Sequence, residues 1–291
     1  MKNSYKNIKN SQSFYGENNI DNSFEKLKKI SKEIRRDTIE MLYKIGPDYR
    51  GHPGPALSIV EILVSLYFKV LRIDVKNPKW HGRDRFILSK GHACPSLYVT
   101  LSLKGFFDKE HLYTFRHVNS ILQGHPDMRK TPGIDMTSGS LGNGLGAGVG
   151  MAISAKINNS KYRIYVLIGD GEVQEGIVWE SIMAASHFKL DNLIMIIDRN
   201  NYQSCNRVDC TIGIEPLASK LSSFNWSVVS IDGHDIEEVT NALSIKTHKV
   251  PLAIIANTVK GKGVSFMENN NSWHQRAITK DEYEKAILEL S

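Results

Sequence analysis

The stretch YRIYVLIGD (162–170), followed by EGIVWESIMAASHFKL (175–190) and NLIMIID (192–198), decides the fold. The outer pieces are short, rich in Ile and Val, and bounded by Gly or charged residues, as buried strands are. The middle piece is long enough, and rich enough in Ala, Met and Ile, to be a crossover helix. A strand, a helix and a strand in that order imply a parallel pair, because the crossover returns the chain to the same end of the sheet. Ligands of such sheets bind outside the carboxyl ends of the strands, where the loops after Gly169 and Asp198 must lie.

Working outward, WSVVSIDG (226–233) and PLAIIANTV (251–259) read as two more buried strands. From Phe24 the positions Leu27, Ile30, Ile34, Ile39, Leu42 and Ile45 recur mostly at three- and four-residue steps. That spacing predicts an amphipathic helix ending near Gly46-Pro47. A second, buried helix is expected over SIVEILVSLYFKVL (58–71) with Ser58 as its amino-terminal cap. TKDEYEKAILEL (279–290) carries the signature of a capped helix. No internal repeat or linker divides the chain, so the expectation is a flexible polar extension over 1–23 and one α/β domain over 24–291, a parallel sheet with helices on both faces.

Of the 291 residues, 41% are hydrophobic and 23% charged, which suits a globular protein with a sizeable core. The net charge of +6 is spread among acidic residues, as in FEKLKKISKEIRRD (24–37), with no aromatic-basic stripe. A solvated helix face is expected there and no nucleic-acid partner. Three cysteines form no disulfide framework, which points to a reducing, cytoplasmic compartment. No run of eighteen apolar residues exists and the polar amino terminus has no apolar core of a signal peptide, so no membrane association is expected.

The chemistry concentrates in IGDGEVQEG (168–176) and IDRNNYQ (197–203). Gly169-Asp170-Gly171 ends one strand and opens a helical turn whose free amides favour an anion. Asn200 leaves the neighbouring strand, so Asp170 and Asn200 should emerge side by side and offer two hard oxygens to a divalent cation. With a main-chain carbonyl, such a set suits Mg²⁺ bridging a diphosphate. A lone Gly-Asp-Gly would be a tight turn; its coupling to Asn200-Asn201 is what makes a ligand site of it.

That pairing resembles the thiamine-diphosphate signature, and residues 24–290 resemble the amino-terminal, diphosphate-binding half of a transketolase. RGHPGPALS (50–58), FILSKGHACPSLY (86–98), LQGHPDM (122–128), TSGSLGNGLGAGVGMAI (137–153) and TVKGKGVSFMENNNSWH (258–274) are each similar to a family segment. Gln275 stands where members commonly have Gly after Trp-His, beside a substrate-facing histidine.

The resemblance implies thiamine diphosphate and Mg²⁺ as cofactors, and transfer of a two-carbon glycolaldehyde unit from a ketose to an aldose. It assigns His52, His125 and His274 to catalytic contacts with the oxygens of a sugar or sugar phosphate. His92, Gly139, Ser140, Leu141, Gly169, Asp170, Gly171, Asn200, Lys260 and His274 fall to the cofactor, and Asp170, Asn200 and the carbonyl of Tyr202 to the metal. Glu175 matches a family carboxylate near an interface between subunits. The family activates its cofactor with a glutamate on a pyrimidine-binding domain, so the expectation is a split transketolase that works with a separate pyrimidine-domain subunit in an α2β2 heterotetramer. Another thiamine-diphosphate lyase or synthase, or a non-catalytic assembly subunit, is the alternative.

Overall fold

Alternate side chains of the central strands enter two different cores, and that alternation places helices on both faces of the sheet. A computed structural model describes residues 17–291. The order is α1 (Glu17–Lys44), α2 (Pro53–Leu57), α3 (Val60–Ser65), β1 (Arg85–Leu88), α4 (Cys94–Lys104), α5 (Asn143–Ile157), β2 (Ile164–Gly169), α6 (Gly176–His187), β3 (Leu193–Arg199), α7 (Val208–Thr211), α8 (Leu217–Ser223), β4 (Ser227–Asp232), α9 (Ile236–Ser244), β5 (Leu252–Asn257) and α10 (Lys280–Glu289). The five strands pair in parallel in the order β1-β2-β3-β5-β4.

Tyr165, Leu167, Ile194, Ile196, Leu252 and Ile254 join a core with Ile34 and Leu42 of α1, Leu63 of α3, Leu97 of α4 and Val239 of α9. Their neighbours Ile164, Val166, Ile168, Leu193, Met195, Ile197, Ala253 and Ile255 face Leu145 and Ala152 of α5, Ile182 of α6 and Leu221 of α8. Both faces of β2, β3 and β5 are thus dry, which is why those segments read as continuous apolar runs.

The structure differs from these expectations in several places. β4, expected as a buried strand, lies at the edge of the sheet and is partly exposed along its whole length. β1 was not foreseen as a strand: four residues are too few to show a period. The buried helix expected from Ser58 is interrupted. Ser58 closes α2 instead of capping the next helix, α3 starts at Val60, and a wider π turn follows over Leu66–Val70. The Ser58 hydroxyl donates to Asp198 across 2.8 Å, a long-range use that local pattern cannot reveal. The polar extension expected over 1–23 lies mostly outside the described residues, and α1 already runs from Glu17. The capping box of Thr279 and Glu282 on α10 is present as expected. Among the described residues no helix is long and apolar enough to cross a membrane.

Helix α5 brings a glycine face against the sheet, and the contact is close. A Cβ on Gly144 would lie 2.5 Å from Ser89 Cβ and 2.9 Å from its Cα, whereas one on Gly150 would meet nothing within 4 Å. Gly144→Ala is therefore expected to lower stability by about 1–3 kcal/mol through overpacking, and Gly150→Ala to raise it by about 0.5–1 kcal/mol through helix propensity. Denaturant titration of both variants checks this; shifts of the same sign would show that the Ser89 contact does not constrain α5.

Candidate functional site

Every strand of the sheet except β4 hands a side chain to one cleft of about 340 Å³ at the carboxyl ends. Register pairs Gly169 with Asp198, so the chain leaving β2 and the chain leaving β3 emerge next to each other. Lys90 and His92 follow β1, Asp170 follows β2, Asn200 and Tyr202 follow β3, and Lys260 and His274 follow β5. His52 enters from the turn before α2, and His125, Gly139 and Leu141 from the long segment before α5.

Beneath the cleft lies Asp198, fully buried. Its carboxylate accepts from Ser58 Oγ and Asn200 Nδ2, each at 2.8 Å, and from the Lys90 ammonium and the Thr258 hydroxyl. Burial alone would raise its pKa, but the Lys90 charge and these donors hold it below the ordinary value. Asp170 is also buried. Its Oδ1 accepts from Gly171 N at 2.8 Å and its Oδ2 from Asn201 N at 2.5 Å. Burial, followed by the neighbouring Asp198 charge, pushes Asp170 up to about 7. The Asn200 amide donates to Asp198 and accepts from Tyr202 N at 3.0 Å, so the loop holds the carbonyl side of this amide in place.

Three imidazoles form a triangle, with ring centroids of His52 and His92 5.2 Å apart, His52 and His274 5.4 Å, and His92 and His274 5.3 Å. Burial, then nearby positive groups, pushes His52 and His274 down to about 3, His92 well below its ordinary value, and His125 in the same direction. All four are therefore neutral near pH 7, each with one donor and one acceptor nitrogen. His52 Nδ1 is buried without a hydrogen-bond partner.

The Lys260 ammonium touches Gln203 O at 3.2 Å, Asn271 Oδ1 at 2.6 Å and His274 Nδ1 at 3.1 Å. Burial and the Lys90 charge lower its pKa to about 8. Its stem runs along Gly54, where an added Cβ would lie 2.9 Å from the Trp273 carbonyl oxygen and 3.2 Å from Lys260 Cγ and Cε, which explains the glycine after His52-Pro53. Gly139 has a φ of +148°, and a Cβ there would come within 3.3 Å of the His125 ring. A side chain at 139 would be strained and would also fill the cleft wall.

The structure thus brings together His52, His92, His125, Gly139, Leu141, Gly169, Asp170, Gly171, Asn200, Tyr202, Lys260 and His274. Ser140 stays apart: it is exposed, and its hydroxyl accepts from Asn143 at 2.8 Å. Glu175 lies on the cleft wall, exposed, just ahead of α6. Sequence reasoning missed Lys90, Asp198 and Glu172 as site residues. Glu172 accepts from Ser89 Oγ at 2.5 Å, Gly142 N at 2.7 Å and Gly169 N at 3.0 Å, and so ties three walls of the cleft together. Charged residues directly at the ends of apolar strands were the available signal for the first two.

A carboxylate, an amide and a main-chain carbonyl beside a wall of neutral donors and two ammonium groups fit a metal-bound diphosphate. Among the described residues no cluster of three or more His, Cys, Asp or Glu could hold a metal by itself. A cation here would need oxygens from its ligand, as Mg²⁺ on phosphates does.

The depressed histidines make a prediction about acid. In the unfolded chain they take up a proton near pH 6.5, whereas His52 and His274 do so only near 3 when folded. Their contribution is complete above about pH 6.5 and lost as pH falls toward 3. Between pH 7 and 5 the parent should lose more stability than His274→Asn, by on the order of 1 kcal/mol. Denaturant melts at the two pH values measure it; equal losses would place an ordinary, solvated imidazole at 274.

Residues 28–290 match the family described as transketolase, thiamine diphosphate binding domain. An apulose-4-phosphate transketolase subunit of Phocaeicola vulgatus is 41% identical over 92% of this chain and 94% of its own length. The 6-deoxy-6-sulfo-D-fructose transketolase subunit SqwG of a Clostridium species is 43% identical over 88% of this chain and 93% of its own. Human transketolase is 37% identical over 91% of this chain, but the match spans only 42% of that longer protein. Among solved structures, transketolase from Pichia stipitis in complex with sedoheptulose 7-phosphate superposes with a TM-score of 0.84 at 28% identity, covering 90% of this chain and 41% of that one. That from Campylobacter jejuni gives 0.80 at 33% identity, covering 89% and 43%. The chain spans about two fifths of these solved proteins and nearly all of the separate subunits, and it belongs to the transketolase family, as an amino-terminal, thiamine-diphosphate-binding subunit.

Proposed function

We propose that this chain binds the diphosphate of thiamine diphosphate through Mg²⁺ and, together with a pyrimidine-domain subunit in an α2β2 assembly, transfers a glycolaldehyde unit from a ketose to an aldose in the cytoplasm. The observation that carries it is the meeting of Asp170, Asn200 and Lys260 with the His52-His92-His274 triangle in one cleft at the strand ends. Relatives of this length are named as transketolase subunits for apulose 4-phosphate and 6-deoxy-6-sulfo-D-fructose, which favours a sugar or sugar phosphate as substrate here too.

Asp170, Asn200 and the Tyr202 carbonyl would hold Mg²⁺. Lys260 and His92 would face the diphosphate, Gly139 and Leu141 would let the ring pass, and Gly169 and Gly171 keep the turn around Asp170 narrow. Thiamine diphosphate, when bound, supplies a thiazolium carbon that acts as an electron sink. What the chain adds is orientation and proton handling. A neutral His52 or His125 donates its N–H to a sugar oxygen as charge grows there and its other nitrogen accepts a hydroxyl proton, whereas His274, whose Nδ1 accepts from Lys260, has its Nε2–H to donate. The unpartnered Nδ1 of His52 is ready for such a partner. Exposed Ile177, two residues beyond Glu175 at the start of α6, supports an intersubunit contact on that side.

The test is reconstitution. The chain alone, folded and supplied with thiamine diphosphate, Mg²⁺ and a ketose-aldose pair, should show no two-carbon transfer, and adding the pyrimidine-domain subunit should restore it. Robust turnover by the lone chain sinks the two-chain reading. In the assembly, Asp170→Ala should weaken cofactor retention by about tenfold or more, as loss of a charged metal ligand does; parental affinity would remove Asp170 from the metal.

His125→Ala and His274→Ala should behave differently. Turnover should fall by about 10²-fold or more while cofactor affinity changes far less. Steady-state kinetics beside cofactor titration decide it: parental turnover with poor cofactor retention would move both residues to the diphosphate.

A further inference from the structure

Away from the cleft, on the far side of the loop that carries Lys260, a buried ion pair and a histidine form a separate cluster. Glu61 of α3 receives both arms of Arg35 of α1, Nη1 to Oε1 at 2.6 Å and Nη2 to Oε2 at 2.7 Å. His234, at the turn between β4 and α9, lies with its Nδ1 2.9 Å from Glu61 Oε2. All three side chains are about nine-tenths buried. Burial opposes ionisation of Glu61, but the Arg35 charge and the hydrogen bonds from His234 and Arg35 hold it ionised, at about 2.

Both outputs of this cluster go to one short segment. His234 Nε2 accepts from Val259 N at 2.8 Å, and Arg35 Nε donates to Lys262 O at 3.0 Å. Lys260 sits between those two points. An Nε2 that accepts forces the proton onto Nδ1, where it is given to Glu61, so the histidine has one tautomer and one orientation. Gly263 continues the fit: a Cβ there would lie 2.8 Å from Arg35 Cδ, so only a glycine lets the Arg35 stem pass.

We infer that Glu61, acting through Arg35 and His234, clamps the backbone on both sides of Lys260 and so fixes where its ammonium stands in the cleft. His234 is the positioning residue of this clamp. The inference rests on the reading of Lys260 as the diphosphate-facing cation. A buried charged triad is a poor source of stability, because apolar side chains of the same volume serve packing at least as well. What apolar side chains cannot do is hold a backbone N–H and a carbonyl three residues apart. Second-layer groups of this kind set the geometry of the groups that meet the ligand.

Two measurements on the parent and three variants test the clamp. In the parent chain, ¹⁵N spectra should show His234 protonated at Nδ1 and accepting at Nε2, and the Val259 amide should be protected from exchange; the opposite tautomer or an unprotected Val259 overturns the clamp whether or not any variant folds. His234→Asn can still donate to Glu61 but cannot reach Val259, so exchange at Val259 should quicken by about tenfold or more while the amides of β2 and β3 keep their parental rates. Its affinity for inorganic pyrophosphate with Mg²⁺ should fall by about tenfold. His234→Gln places an acceptor near the old Nε2 and should recover most of both. Parental exchange at Val259 in a folded His234→Asn chain, or equal acceleration throughout the sheet, overturns the inference. Lys260→Met separates the two readings: undiminished pyrophosphate affinity there removes Lys260 from the diphosphate, while exchange at Val259 still decides the clamp.

Discussion

The buried Asp198 carboxylate is the constraint on which the rest of the site depends. It ends β3 at the centre of the sheet and receives Ser58 from the end of α2, Lys90 from the end of β1, Asn200 from its own loop and Thr258 from the end of β5. Four segments far apart in sequence are thereby held at one point. Removing one partner of a buried pair such as Lys90 and Asp198 typically costs about 3–5 kcal/mol, because it strands the other charge. The floor of the cleft is accordingly a fixed object, and the loops above it inherit their positions from it.

That floor also sets the electrostatics above it. Asp198 neutralises Lys90 but, as a second negative group, raises Asp170. Burial and the nearby ammonium groups keep the histidines neutral. A charged imidazole would be a fixed cation, whereas a neutral one can both give and take a proton. The same residues that build the site therefore also put its histidines in the state in which proton transfer to sugar oxygens is available.

The strands β2, β3 and β5 were legible because apolar runs bounded by Gly, Pro or polar residues have few other readings, whereas β4, whose run looks the same, is an edge strand that stays partly exposed. The pairing of Asp170 with Asn200 was legible for a related reason, since the crossover geometry forces consecutive strand ends together. Ser58 was misread because its local context, a hydroxyl before an apolar run, is that of a helix cap, while its real partner is 140 positions away. Lys90, Glu172 and Glu61 were passed over on similar grounds. A charge inside an apolar stretch announces burial, but only the fold names its partner, which for Glu61 is an arginine 26 residues earlier and a histidine 173 later.

Lys260 shows how these constraints meet. The partners of its ammonium within hydrogen-bond reach are a carbonyl, an amide oxygen and a neutral imidazole, while the other cleft lysine, Lys90, is already matched by Asp198. Buried positive charge with neutral partners is costly, and the lowered pKa of Lys260 records that cost. A fold that keeps such a charge in place must hold the backbone around it, since the ammonium would otherwise relax toward water. Thr258 is held by Asp198, Val259 by His234, Gly261 by the Gly54 carbonyl at 3.0 Å, and Lys262 by Arg35. The ammonium is thus kept where solvent would not leave it, and an anion entering the cleft meets a cation whose desolvation has been met in advance by folding.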